Sequence, residues 1–155
     1  VGVTGRIEAE IEDVRSSVAR EQRTNVLVVE EDGRPIGWCQ WYLLSDYPEY
    51  ETDVDGQPGD VGIDYAIGDP TRIGRGLGTQ LIDVLVGQIR QVHPGAGIVA
   101  DPDATNKASR RILEKNGFRL IDERVVPSDE TDALMAIYRA THGSSLPQYR
   151  SQGIF

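Results

Sequence analysis

Between positions 60 and 90 a strand-like run, a glycine-rich turn and an amphipathic helix follow one another directly, and that order commits the chain to an α/β fold. Asp60–Ile67 alternates well enough for a strand. Arg72-Ile73-Gly74-Arg75-Gly76-Leu77-Gly78 breaks it, and Leu77, Leu81, Val84, Leu85 and Ile89 form a helical stripe to about Arg90. Glycines let the backbone approach a ligand closely. A helix that starts there turns free N–H groups and a partial positive charge toward the turn. Arg72 and Arg75 add full charges. The junction predicts an anion site suited to a pyrophosphate. It is not a Walker loop, because Lys-Ser/Thr is absent. Its spacing, and the acidic stretch before it, do not fit a dinucleotide fingerprint.

The rest of the chain supplies partners for this unit. Ile7, Ile11, Val14 and Val18 recur at helical spacing and predict a helix over Gly5 to Arg20. Asn25–Glu30 and Ile36–Leu44, joined at Asp32-Gly33, read as a β-hairpin. Gly37 inside the second strand predicts a bulge or a close backbone approach. Pro48, Gly56, Pro58 and Gly59 mark the first half of Leu43 to Thr71 as a loop. Ile98-Val99-Ala100 is a short strand. Asn106 caps a helix that Gly117 ends. Phe118–Val126 and Ala133–Ala140 are two last strands around Pro127-Ser128-Asp129. The sum is one domain over residues 1–140, with a largely antiparallel sheet and helical crossovers. The tail 141–155 has no period and reads as a loose arm.

Charge and cysteine usage narrow the function. Of 155 residues, 16 are Lys or Arg and 25 are Asp or Glu, giving a net charge of -9, which disfavours nucleic acid as partner. Leu43 to Thr71 carries Asp46, Glu49, Glu51, Asp53, Asp55, Asp60, Asp64 and Asp69 and no Lys or Arg. Such a stretch suits a cationic partner. The single cysteine, Cys39, excludes an internal disulfide or a cysteine-built zinc site, and His93 and His142 lack metal-ligand spacing, so no metal is expected. No apolar run approaches the ~20 residues that span a bilayer, and no signal-peptide pattern opens the chain. A cytoplasmic setting and no membrane partner are the expectation. The chain opens at Val1 rather than Met.

Ile73-Gly-Arg-Gly-Leu-Gly-Thr-Gln-Leu, opening a helix after a strand, resembles the acetyl-CoA pyrophosphate loop of the GNAT N-acetyltransferases. Asp101-Pro-x-x-x-Asn106, followed by Arg111-x-x-Glu114-Lys-Asn-Gly117-Phe118, matches the family's second motif in order and spacing. The resemblance runs from about Glu30 to Tyr138. It implies a mostly antiparallel sheet, splayed at its centre and flanked by helices. It also implies acetyl-CoA held by Ile67, Arg72, Ile73, Gly74, Arg75, Gly76, Leu77, Gly78, Thr79 and Asn106. The family opens with one further strand and helix, so this chain enters near the second helix. Ile73 stands where many members carry Gln or Arg. Within the superfamily, Gly33-Arg-Pro-Ile-Gly37, Gln40-x-Tyr42, Glu51-Thr-Asp53, Gly62-Ile-Asp64 and Asp101-Pro are most similar to the aminoglycoside 6'-N-acetyltransferases. By that likeness Glu51, Asp53, Asp64 and Asp101 hold a polycationic substrate, and Asp64 is the catalytic residue that takes a proton from the amine. Leu113 stands where such enzymes often place a tyrosine beside the CoA sulfur. An acid for the departing thiolate is then absent or supplied elsewhere, for example by Tyr65 or Tyr138.

The chemistry points the same way. An amine attacks only when neutral, so a carboxylate or ordered water must accept its proton. Donors must meet the developing oxyanion, and backbone N–H groups of Asp60–Ile67 are in place for that. Cys39 has no recognisable base partner, so direct transfer in a ternary complex is expected rather than an acyl-enzyme. Asp46, Glu49, Asp55 and Asp69 read as solvated loop acids, Cys39 as a core residue and His93 as a surface loop residue. Trp38 and Trp41 have opposite strand parity, one for the core and one for a cleft wall. Tyr47 and Tyr50 either stack on a sugar or pin the loop. Three readings stay open: acetylation of an aminoglycoside 6'-amine, acetylation of another cationic amine such as a polyamine or peptide, and a non-catalytic acyl-CoA sensor. The chain is expected to be a monomer or homodimer.

Overall fold

In the computed structural model, residues 7–12, 24–68, 76–127 and 132–141 are described, the first of these as backbone only. The strands are β1 (Ile7–Glu12), β2 (Thr24–Glu31), β3 (Arg34–Leu43), β4 (Val61–Ile67), β5 (Ile98–Ala100), β6 (Arg119–Val126) and β7 (Ala133–Ala140). The helices are α1 (Pro48–Asp53), α2 (Leu77–Val92) and α3 (Lys107–Lys115). The strands form one seven-stranded sheet in the order β1-β2-β3-β4-β5-β7-β6. Every pairing is antiparallel except β4 with β5. That exception holds for two residue pairs only, Val61↔Ile98 and Gly62↔Val99, after which the strands part. The sheet is therefore splayed between its central neighbours, as the family resemblance implies.

Two expected elements differ. Ile7–Glu12 is a strand paired with β2, not the start of a helix. The same residues, Ile-Glu-Ala-Glu-Ile-Glu, also alternate with period two. The edge of β2 offers hydrogen bonds that a lone amphipathic helix would not gain. Residues 13–20 of the expected helix lie outside the described residues. The expected loop after Leu43 instead folds into a short 3-10 turn, Leu44–Asp46, and α1. Pro48 sits at the first helical position, where its missing N–H costs nothing. The Pro127-Ser128-Asp129 turn and the tail beyond Thr141 also fall outside the described residues, apart from Pro127 itself.

The two faces of the sheet carry separate cores. On one, Leu27, Cys39, Ile63, Ile98 and Tyr138 pack against α2 and against Leu113 and Phe118. The α2 face is not quite the expected stripe. Val84 is 37% exposed, and Ile82 and Val86 take buried positions beside Leu81, Leu85 and Ile89. Each fully buried leucine there contributes about 2 kcal/mol relative to exposure, which anchors α2 more firmly than helix propensity alone. On the other face Tyr42, Leu44, Val54, Val99 and Ile137 pack with Tyr47 and Tyr50, so α1 covers this side.

Gly37 marks both features the sequence allowed. The β2–β3 register shifts between Val29 and Glu30, opposite Gly37 and Pro35. A Cβ on Gly37 would run into the Ala66 carbonyl oxygen of β4. Gly37→Val is expected to force β3 from β4 and destabilise the fold by about 3 kcal/mol. Urea unfolding checks this, and an unchanged midpoint would count against the close approach.

Candidate functional site

The splay sets up the site by register. Asp64 lies two residues beyond Gly62 on β4, and Asp101 two residues beyond Val99 just past β5. The two carboxylates thus occupy equivalent positions on two diverging segments. Both line a cleft of about 480 Å³ on the α1 face, together with Thr24, Gln40, Tyr42, Tyr47, Tyr50 and Met135. None of these lining residues is basic.

Each wall has a local cause. Gln40 stands opposite Asp64 across the β3–β4 ladder, and its amide donates to Asp64 Oδ2 at 2.8 Å. Tyr42 lies two residues on along the same face of β3. Its ring crosses β4 where there is no side chain, since a Cβ on Gly62 would stand 2.5 Å from Tyr42 Cε2. Tyr47 meets Tyr42 edge-on at 5.2 Å and shares a 2.8 Å hydrogen bond with Thr24 Oγ1. Tyr50, on α1, has its ring 6.3 Å from Tyr42 and donates to Asp101. These tyrosines pin the segment after β3 to the sheet, one of the two roles weighed for them in the sequence, and they also line the cleft. Trp38, at 43% exposure, lies outside both cores. Trp41 packs against the helix-side core and meets His93 edge-on at 5.5 Å, which fixes the ring of a residue read from sequence as surface loop.

Burial and charge perturb the cleft groups. Desolvation, chiefly, and the neighbouring Asp64 charge raise Asp101 to about 6, against the lowering effect of the Tyr50 hydrogen bond. Burial, with the nearby carboxylates adding to it, also pushes the Tyr42 and Tyr50 phenols well above their usual range. A carboxyl raised above its unfolded value binds more protons when folded. Its cost is therefore absent below about pH 4 and grows as pH rises through 6. Asp101→Asn is expected to melt higher than wild type at pH 7.5, with the gain gone below pH 4. Thermal denaturation at the two pH values checks the sign.

Other predicted residues lie apart from this cleft. Glu51 and Asp53 are half-buried on α1 and are not among the lining residues. Glu51 folds toward Gly56, and the Asp53 carbonyl accepts from Arg124 at 3.4 Å. Asp55 is exposed but paired to Arg124 at 2.6 Å. On the opposite face, Asn106 caps α3 through a 3.1 Å bond from Ser109 N. Ile67 is partly buried against the helix-side core. Gly76 starts α2 at φ +77, and among the described residues no side chain caps the helix, which leaves the first N–H groups of Leu77, Gly78 and Thr79 to other acceptors. A Cβ on Gly78 would strike Ile112 Cδ1, so this glycine also lets α2 close on α3. Arg72, Ile73, Gly74 and Arg75 lie outside the described residues. Tyr138 is fully buried, donates to Glu114 at 3.1 Å and accepts from Arg110 at 3.0 Å. Tyr65 reaches across to Ser109 of α3, hydroxyl to hydroxyl at 2.5 Å; burial raises it to about 12. Burial likewise pushes the Cys39 thiol up to about 12, so it is a poor nucleophile.

Sequence reasoning singled out Asp64 and Asp101 but gave no role to Gln40, Tyr42, Thr24 or Met135. The first two were legible as the residues of β3 that alternate with Cys39 and Trp41. Thr24 and Met135 reach the cleft through pairings distant in sequence, which left no local signal.

The site thus combines a sheet splayed between β4 and β5, a helix start at Gly76 and a cleft lined by two carboxylates. The chain belongs to the GNAT acetyltransferase domain family, which it matches over residues 3–126. It is 29% identical over 102 residues to an aminoglycoside N(6')-acetyltransferase type 1 of Klebsiella pneumoniae, covering 66% of this chain and 51% of the relative. It is 32% identical over 102 residues to the lysine N-acyltransferase MbtK of Mycolicibacterium paratuberculosis, covering 65% of this chain and 42% of that one. The chain thus spans about half the length of these relatives. Among solved structures, the aminoglycoside acetyltransferase AAC(6')-Ib in complex with coenzyme A superposes with a TM-score of 0.68 at 28% identity, over 84% of this chain and 73% of that one. Among the described residues no helix is long and apolar enough to cross a membrane.

Proposed function

We propose that this protein transfers acetyl from acetyl-CoA to a primary amine of a cationic small molecule, with an aminoglycoside 6'-amine as the leading acceptor. The observation that carries this reading is the cleft itself: two carboxylates and three tyrosines, no basic residue, opening where β4 and β5 part. The chain has the groups to hold the donor. The uncapped start of α2 at Gly76 suits a diphosphate, with Leu77, Gly78 and Thr79 presenting backbone N–H groups. By the resemblance, Arg72, Ile73, Gly74 and Arg75 belong to the same diphosphate loop, and Ile67 and Asn106 serve the cofactor arm. Bound acetyl-CoA supplies the activated acetyl thioester. The chain's own part is to orient the amine, exclude water behind Tyr42 and Tyr50, and accept a proton at a carboxylate. The resemblance gives that proton to Asp64, with Glu51, Asp53 and Asp101 as further anchors for positive charge. Attack is direct, since Cys39 is buried.

Two observations favour other acceptors or none. Glu51 and Asp53 do not line the cleft, which leaves room for a smaller dication such as a polyamine or lysine. Leu113 is buried in the core, so α3 presents no tyrosine at the position the family likeness indicates, which suits a sensor. A thiol-release assay with acetyl-CoA over kanamycin, 1,4-diaminobutane, lysine and a simple monoamine separates the three. Turnover fastest on kanamycin supports the leading reading. Turnover on the smaller amines alone moves the acceptor. Cofactor binding by calorimetry without turnover on any amine establishes the sensor.

A further inference from the structure

We propose that Asp101, rather than Asp64, is the base of this cleft: it takes the proton of the reacting ammonium while Asp64, oriented by Gln40, anchors a second positive group of the acceptor. The inference rests on the acetyltransferase reading above and divides the labour of its two carboxylates.

The division comes from what each carboxylate touches. Asp64 has one oxygen committed to the Gln40 amide at 2.8 Å, and it lies mid-strand with β3 beside it. That is a fixed, oriented anion, suited to holding a cation in one place. Asp101 follows the short β5, is partly buried at the cleft, and accepts from the Tyr50 hydroxyl. Among the described residues, those lining the cleft with it are neutral or negative, among them Asp64 from β4, Gln40 and Tyr42 from β3, Tyr50 from α1 and Met135 from β7. Two arginines of the same sheet face are committed elsewhere, Arg124 to Asp55 and Asp122, Arg139 to Asp60, and a third, Arg119, is exposed on β6. A buried carboxylate beside a like charge holds a proton more readily, and a base works best when its affinity for protons is near the working pH. Burial and the Asp64 charge raise Asp101 in this way, while Asp64 is held by the Gln40 amide.

The step balances with the donor the proposed function supplies. The acceptor ammonium gives one proton to the Asp101 carboxylate. The freed nitrogen lone pair forms the C–N bond to the thioester carbonyl carbon. The C–S bond breaks with its electron pair going to sulfur, and the second proton lost by the nitrogen ends on that sulfur. The products are an amide, a thiol and a neutral Asp101, which releases its proton to solvent before the next turnover.

The test pairs a titration that needs no turnover with kinetics. In the full chain without cofactor, carboxyl carbon-13 NMR should place the Asp101 midpoint near 6, and Asp64→Asn should lower it by removing the like charge. A wild-type Asp101 midpoint near 4, unmoved by Asp64→Asn, would overturn the proposal. In turnover, Asp101→Asn should cost at least 100-fold in kcat with KM within about threefold, and should abolish the acid limb of kcat/KM near pH 6. Asp64→Asn should instead raise KM for a diamine at least tenfold, lower kcat less than tenfold and leave KM for a monoamine nearly unchanged. The reverse pattern would return the base to Asp64 and overturn the division. Should wild type acetylate no amine at all, the functional reading fails by itself, and the Asp101 midpoint still decides whether the pair is divided.

Discussion

Asp60→Ala is expected to lower the melting temperature by about 10 °C, because it strands a cation at the root of the splay. Asp60 is 2% exposed and accepts from Arg139 at 2.8 Å and from the Gln57 backbone N–H at 2.8 Å. Gly97 makes room for the pair: a Cβ there would stand 2.5 Å from Asp60 Oδ1. Beside it, Val61 N–H donates to the Gly97 carbonyl at 2.9 Å, the first bond holding β4 to β5. Removing one member of such a pair leaves an uncompensated charge. Arg139 keeps some contact with water, which puts the cost at about 3 kcal/mol, the low end of the usual range. Adding Arg139→Met should restore much of the loss, because two apolar groups no longer require pairing. If Asp60→Ala melts within about 2 °C of wild type, the ion pair does not hold the base of the splay. Asp60 belongs to the same acidic stretch as Asp64, and only the three-dimensional pairing separates the structural acid from the cleft acid.

That contrast shows how far local pattern carries. The hairpin was legible because Asp32 and Gly33 both adopt positive φ, 51 and 77, which Asp-Gly accommodates. The α3 boundaries were legible because Asn106 caps by its own side chain and Gly117 turns at φ +83. β1 was not, since Ile7, Ile11, Val14 and Val18 satisfy a helical period while Ile7, Ala9 and Ile11 satisfy a strand period, and only the edge of β2 decides. α1 was hidden because one turn of helix among acids, Pro and Gly has little propensity of its own. Tyr47 and Tyr50 hold it by packing on Tyr42. The cleft was half legible. Asp64 and Asp101 carried motif signals, yet their equivalence follows from the parallel register of β4 and β5. The burial that distinguishes Asp101 comes from Tyr50, fifty-one positions away in the chain.

Gly76→Asp should weaken acetyl-CoA binding by about 100-fold while moving the melting temperature by no more than about 2 °C, and the opposite fates of the two quantities make the result diagnostic. Gly76 has φ +77, where most side chains are strained, but Asp tolerates that region better than β-branched or bulky residues. Among the described residues no side chain caps α2. A carboxylate at the helix start meets the positive end of the dipole, and that gain of up to about 1 kcal/mol offsets the backbone strain. The same carboxylate repels a diphosphate seeking those N–H groups. The attraction of Arg72 and Arg75, expected in the same turn, is partly cancelled as well. A 100-fold loss corresponds to about 2.7 kcal/mol, in the range of one charged contact turned from favourable to unfavourable. Raising ionic strength should shrink the difference between variant and wild type, because a partly exposed charge pair is screened. Calorimetric titration with acetyl-CoA at two salt concentrations reads both effects. An unchanged affinity in Gly76→Asp would mean the diphosphate binds elsewhere, and the start of α2 would lose its place in the donor site.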